Sequence, residues 1–512
     1  MKTKISIIIL VLINFYSIAQ SPSDALRFSQ AFNGGTARFT SMGGAFGALG
    51  GDFSSISHNP AGLGVYRTSE FTLTPSFKSR NINSSFNGSS GEDTRNRTYF
   101  DNLGFVLSFK PNGDNQTGLI NLNLAFGYNR TNDFYTSSYA NGDNPTSSIM
   151  DYFAAQAQGN NYIDMSLPPI NPKSNYNPYL DSNAPWEAIM AWSTYLIDTI
   201  PGNHDKYWPS LNNGDGVFQR NRVSTSGSSG EYVMSLGMNL SNKLYLGASL
   251  NASNINYKST TTYSEDAFST NTNLPNGDKF NYSDYNQSFE TTGTGYNFKI
   301  GVIYKPVEGL RLGVALHTPT YYKLQDTYSY SMSTNFKLGS SKSSTPNSRY
   351  DYNLETPLKT IASIAYVFKD LGLLSLDYEH INYSTMRFRE GGDGYSYSNE
   401  NNNITNNYRN VNNIRVGGEL RVKEFFLRGG YAFYPSPYKK GGLNDNANRT
   451  ILSGGVGYRS GNFFVDAAYL YSMQKESYIF YDLRNTDGSL AINPVSTKMT
   501  EGKLLITLGF KF

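Results

Sequence analysis

Several stretches of this chain alternate strictly between apolar and polar positions. Ile120, Leu122, Leu124, Phe126 and Tyr128 share one face, opposite Asn121, Asn123, Ala125, Gly127 and Asn129. The same alternation sets Leu244, Leu246, Ala248 and Leu250 against Tyr245, Gly247, Ser249 and Asn251. It recurs with Leu310, Leu312, Val314 and Leu316 against Arg311, Gly313, Ala315 and His317, and with Leu374, Leu376 and Tyr378 against Ser375, Asp377 and Glu379. Such a pattern puts one face of a strand on an apolar medium and the other on a wet one. A soluble sandwich shows the same alternation, so the connections between strands carry more weight.

Strands are predicted near 70–79, 101–110, 117–129, 230–240, 243–256, 293–305, 309–323, 358–369, 372–386, 409–421, 424–434, 447–459, 462–474 and 501–512. After the second strand the connections alternate between short and long. Ser241-Asn242-Lys243, Lys305 to Gly309, Lys369 to Gly372, Val422-Lys423 and Ser460-Gly461 are short; 130–229, 257–292, 324–357, 387–408 and 475–500 are long. Short periplasmic turns and long extracellular loops produce that asymmetry, and an even strand number puts both termini in the periplasm. The expected fold is all-β: a transmembrane antiparallel barrel of about fourteen strands. Its last strand, Leu504, Ile506, Leu508, Phe510 and Phe512, ends on a phenylalanine and resembles the signal read by the outer-membrane assembly machinery.

Composition fits a barrel better than several soluble domains. Forty tyrosines and 31 phenylalanines bring aromatics to 14%, charged residues make up only 16%, and mean hydropathy is −0.46. Outward Tyr378, Tyr431, Tyr458, Tyr469 and Tyr471 suit aromatic girdles at the membrane interfaces. A net charge of +3 gives no footprint for nucleic acid. Cysteine is absent and the four histidines, His58, His204, His317 and His380, are scattered, so no cofactor or metal is expected. Residues 1–19 read as a signal peptide: Lys2 and Lys4, the apolar run Ile5 to Ile13, then Ser17-Ile18-Ala19. The apolar run is too short for a spanning anchor, which needs about 20 residues.

Residues 20–69 do not read as a strand pair. Glycines crowd Phe32 to Arg38 and Met42 to Asp52, followed by His58-Asn59-Pro60-Ala61-Gly62-Leu63-Gly64. No Gly-Lys-Ser/Thr follows a strand here, so a phosphate loop is excluded. The segment is read as a hatch of turns and short helices inside the barrel of residues 70–512, or else as a periplasmic linker. Gly35 to Arg38, the Met42 to Asp52 block and Asn59-Pro60-Ala61 resemble the N-terminal hatch of the FadL family, transporters of long-chain fatty acids and aromatic hydrocarbons. Asn297 to Leu312, Arg428 to Tyr431 with Pro435-Ser436-Pro437, and Gly455 to Arg459 resemble that family's strands, and the resemblance covers essentially the whole mature chain. It implies a barrel of fourteen strands and passive uptake of hydrophobic small molecules. Ligand would be captured on a loop, pass to a pocket between hatch and wall, and leave laterally.

Candidate ligand contacts follow. Trp186, Ile189, Met190, Trp192 and Leu196 lie on a helix-compatible stretch that is apolar nearly all round; it lines a capture groove or packs the loop onto the rim. Ile149 to Ala157 is a second such stretch that would pair with it. Phe46, Phe53 and Leu63 of the hatch either touch ligand or form its core. Arg38 either pairs with a wall carboxylate or receives a ligand carboxylate, for which a guanidinium fork is suited. Arg311, His317, Asp377, Glu379, Arg415, Glu419, Arg428 and Asp466 face the lumen and should pair with one another or with the hatch. No nucleophile motif accompanies the histidines, and Asp377 and Glu379 lack an oriented partner, so catalysis is not expected. Two other functions share this fold: a docking shuttle of a type 9-like protein secretion system, and a small-solute porin.

Overall fold

The computed structural model describes residues 21–512 apart from 33, 112–116, 212–214, 269–277, 393 and 486. The expected signal peptide lies outside the described residues. Fourteen antiparallel strands form a closed barrel. In chain order they are Glu70–Phe86, Ser89–Phe109, Leu119–Asp133 continued by Thr136–Asn144, Val217–Leu240, Leu244–Ala267, Phe280–Tyr304, Leu310–His317 continued by Tyr321–Phe336, Ser348–Glu355 continued by Lys359–Phe368, Gly372–Asn382 continued by Arg387–Glu390, Asn410–Val422, Phe425–Tyr434, Arg449–Ser460, Phe463–Tyr478 and Val495–Lys511. The ring closes because Glu70–Phe86 pairs with both the second strand and the last: Phe71 lies opposite Phe105 on one side and Phe510 on the other.

The period-two pattern sets which face goes where. Outward Leu374, Leu376 and Tyr378 are exposed, while inward Ser375, Asp377 and Glu379 are buried. Around the outside, Leu250, Ile300, Val314, Leu376, Val416 and Ile506 form an apolar band. Exposed aromatics edge it. Phe109, Tyr304, Phe368, Phe425, Tyr458 and Phe510 ring the end with short turns; Phe77, Tyr232, Tyr296, Tyr321, Tyr431 and Tyr469 ring the other. Tyr296 and Tyr304 lie on one face eight residues apart, about 26 Å along the strand at ~3.3 Å per residue, which is about 20 Å of height at a strand tilt of ~40° and fits within a barrel's apolar band about 25 Å tall. Among the described residues no helix is long and apolar enough to cross a membrane.

Strands run further toward the loop end than alternation predicted. Pairing reaches Asn144 and resumes at Val217, so the predicted 130–229 loop is confined to 145–216, and much of 257–292 and 324–357 is hairpin. Beyond the apolar band the outward face turns polar, while inward Tyr263, Phe280, Tyr285, Met332 and Phe336 stay buried, so the lipid-facing period ends although the backbone ladder continues. The first connection behaves alike: Glu70–Phe86 and Ser89–Phe109 are joined by Asn87-Gly88, both at positive φ, the conformation two-residue hairpin turns require. The 145–216 segment carries helices Ile149–Ala157 and Trp186–Ser193, which pack together over the barrel mouth in a core with Phe280, Tyr285, Met332 and Phe336.

Residues 21–66 sit inside the ring. Helix α1 (Pro22–Ser29) starts where the Ser21 N–H donates to Asp24 Oδ2 (3.0 Å). Helix α2 (Ala37–Ser41) is capped by Thr36 and α3 (Phe53–Ile56) by Asp52, whose side chains accept from Phe39 N and Ser54 N. The 3-10 turn Pro60–Val65 is capped by Asn59. Leu376→Arg, at an outward position between Ile364 and Val416, is expected to cost about 2–4 kcal/mol of folding free energy. Leu180→Arg, on the exposed loop, should be near neutral; urea unfolding in lipid vesicles measures both.

Candidate functional site

The hatch is held to the wall on every side. Ala37 N donates to Thr507 Oγ1 (2.6 Å), Gly43 N to Ser453 Oγ (3.1 Å) and Gly47 N to Asp377 Oδ2 (3.0 Å). From the wall, Arg311 Nη1 donates to Leu49 O (2.6 Å), Lys299 Nζ to Ser57 O (2.9 Å) and Asn123 Nδ2 to Leu63 O (2.7 Å). His317 Nε2 lies 2.8 Å from His58 O. Close approach is possible because several inward wall positions facing the hatch are glycines. A Cβ on Gly104 or Gly127 would strike Phe53, on Gly237 Leu63, on Gly247 Pro60, on Gly301 Asn59, and on Gly417 Met42. Asn59 itself donates to Gly47 O (2.6 Å) and Val302 O (3.3 Å) and accepts from Ala61 N (3.1 Å), so Asn59-Pro60-Ala61 ties two hatch segments to the wall.

Charged groups inside the barrel pair as expected. Asp377 lies 2.9 Å from His58 Nε2, and Glu379 accepts from Arg415 (2.9 Å) and Asn413 (2.6 Å). Glu419 accepts from Arg38 (3.0 Å) and Arg428 (2.6 Å), while Asp466 accepts from Arg428 (2.6 Å) and Arg459 (2.9 Å). Burial raises the Asp52 carboxyl above its ordinary value, although Arg38 and the Thr36 hydroxyl pull the other way. A polar cavity of about 70 Å³ remains between α1 and the wall, bordered by Ser57, Glu231, Lys299, His317, Lys359 and Glu379.

One stretch of wall lacks its ladder. The second and third strands pair from Phe109↔Leu122 only as far as Asn102↔Asn129. Beyond that rung, Ser89–Phe100 pairs only with the first strand, and Thr136–Asn144 only with the fourth. The hatch occupies the vacant edge: Phe32 N donates to Thr131 O (2.9 Å) and Gly34 N to Arg130 O (3.0 Å). Gly34 fits between the two edges because a Cβ there would lie 2.6 Å from Asp101 Oδ1 and 2.8 Å from Arg130 O. The break is therefore bridged by the hatch.

The family model described as outer membrane protein transport protein (OMPP1/FadL/TodX) matches residues 228–512. The chain belongs to this family. No curated protein sequence matches it. Among solved structures, a Pseudomonas aeruginosa FadL homologue is 14% identical, with 94% of this chain and 98% of that one covered at a TM-score of 0.53, and shares the fold. The toluene transporter TodX of P. putida aligns at 12% identity, covering 94% and 99%, with a TM-score of 0.49. The toluene transporter TbuX of Ralstonia pickettii aligns at 16% identity, covering 94% and 98%, with a TM-score of 0.45.

Within this FadL-type barrel the predicted contact residues fall into two separate groups. Phe46, Phe53 and Leu63 are buried in the hatch, Phe46 with its ring centroid 5.4 Å from that of Phe39 and beneath the Arg38 guanidinium. On the loop cap, Met190 and Leu196 are fully buried. Ile189 and Trp192 reach a cavity of about 240 Å³ also lined by Met165, Leu167, Ile170 and Tyr179. Trp186 packs on Tyr179, Tyr328 and Tyr330. Burial also raises the Glu187 carboxyl on this helix. Sequence reasoning missed the glycines that seat the hatch, though inward glycine at period two was their signal, and the break in the wall that the resemblance implied was not located, because no residue type marks a lost neighbour.

Glu419→Ala leaves Arg38 without its carboxylate. It is expected to destabilise the protein by about 3 kcal/mol and to make the bond after Arg38 accessible to trypsin; limited proteolysis beside a urea titration checks both.

Proposed function

We propose that the protein takes up hydrophobic small molecules passively across the outer membrane. Ligand settles first in the apolar cavity on the loop cap, where Ile189 and Trp192 meet exposed Leu167 and Ile170. It then enters the barrel beside the hatch and leaves sideways through the wall between Ser89–Phe100 and the kinked third strand. The turn end is periplasmic on this reading, and Phe512 belongs to the segment presented to the assembly machinery. Membership of a family of outer-membrane transport proteins supports uptake, and the apolar lining of the cap cavity supports a hydrophobic cargo.

The observation that carries this reading is the combination of a hatch tied to strands all round the ring with an interrupted ladder in the described wall. An axial route would have to break those ties; the lateral one needs Phe32 and Gly34 to leave two carbonyls and the side-chain bonds across the break, such as Arg130 to Phe100 O and Ser137 to Asp93, to part. Cells carrying Phe100→Cys and Thr131→Cys, one residue on each rim of the break, are expected to take up labelled fatty acid or hydrocarbon normally. Bridging the pair with a short bis-maleimide should abolish that uptake. Unchanged uptake after complete cross-linking contradicts lateral exit.

A further inference from the structure

The loop cap differs in charge from the rest of the chain. Residues 145–216 hold seven Asp and Glu against two Lys, a net charge of −5 in a protein whose overall charge is +3. A cleft of about 500 Å³ opens between this cap and the tip of the hairpin that Tyr321–Phe336 makes with Gly339–Ser344. Trp192, Tyr195 and Phe336 give it aromatic walls, and Asp198 and Asp278 bring two carboxylates. No lysine or arginine lines it. Asp198 accepts from Thr199 N (2.7 Å) and, among the described residues, meets no cation within ion-pair distance. Asp278 accepts from Lys279 N (2.8 Å) and Leu338 N (2.9 Å), which fix its carboxylate beside the hairpin tip.

Tyr195 stands at this cleft under backbone strain. Leu196 N donates to Ala191 O (2.9 Å), which puts Tyr195 just past the helix Trp186–Ser193, at the position glycine usually fills. Its φ is +61°, where a bulky side chain is strained. Every other described non-glycine residue at positive φ lies in a turn between strands. Packing does not offset the strain, because the residue is 58% exposed. Ser210 Oγ donates to Tyr195 O (2.5 Å) and secures the turn. Trp192 is fixed as well: its Nε1 donates to Ser166 Oγ (2.7 Å), and its ring meets those of Tyr162 and Tyr207 at centroid distances of 5.6 and 6.0 Å. Strained, exposed residues mark ligand clamps more often than packing sites. Aromatic faces attract a cation through the ring quadrupole, tryptophan most strongly, and the carboxylates supply its counter-charge.

We propose that this cleft binds an organic ammonium ion, a quaternary or protonated amine with an apolar body, held by Trp192, Tyr195 and Phe336 and neutralised by Asp198 and Asp278. Binding on the cap is independent of passage through the barrel, so the uptake reading stands or falls separately.

Isothermal titration of the full-length mature protein in a neutral polyether detergent tests it, with a protein-free detergent blank. The probes are (4-hydroxyphenyl)trimethylammonium and 4-tert-butylphenol, which share a shape and differ in the charge. The ammonium is expected to bind about tenfold or more tightly than the phenol and to weaken with salt. Asp198→Asn and Tyr195→Gly should each weaken it by roughly two- to thirtyfold. Tyr195→Gly relieves the positive φ, so it should unfold in urea no earlier than the wild-type protein, which separates lost binding from lost structure. Equal binding of the two probes, binding of neither, or full affinity in both variants overturns the site. Displacement of the ammonium by maltose would assign the cleft to a neutral sugar and overturn it too.

Discussion

Everything in this structure follows from the need to pair backbone N–H and C=O groups where no water can reach them. In hydrocarbon each unpaired group costs several kcal/mol, so a sheet survives there only if it closes. Strands Glu70–Phe86 and Val495–Lys511 meet to remove the last free edge. The outward alternation of Leu, Ile, Val and Phe then faces lipid, and the inward positions are released for polar and small residues. That release lets the hatch, residues 21–66, sit inside the ring on a bed of glycines, with carboxylates and arginines facing it.

The break between the second and third strands departs from that rule, and the hatch compensates for part of it. Gly34 and Phe32 donate to carbonyls that a neighbouring strand would otherwise satisfy. Arg130 reaches across to Phe100 O. Such substitute bonds are fewer than the ladder they replace, which leaves this portion of the wall the easiest to open. The same segment of chain thus stoppers the bore and closes the side of the barrel, so movement at Phe32–Gly34 acts on both.

Much of this was legible in the sequence, and the illegible parts have physical causes. The stretch Ile120 to Asn129 declared both its faces because lipid and lumen demand opposite chemistry. Val217–Leu240 was legible only from about residue 230, since Ser224 to Ser229 holds only serine, threonine and glycine and projects beyond the apolar band. The inward direction of Asp377, Glu379, Arg415 and Asp466 followed from their neighbours. Their partners did not: Arg38 meets Glu419 across 381 residues of sequence, a separation that no local pattern reports.

The account depends on the hatch being seated in a closed barrel, and steady conductance across a planar bilayer tests that most directly. The intact protein should pass little ionic current, and a form lacking residues 21–66 should conduct as an open pore. A large steady conductance from the intact protein, unchanged when the hatch is removed, would contradict it.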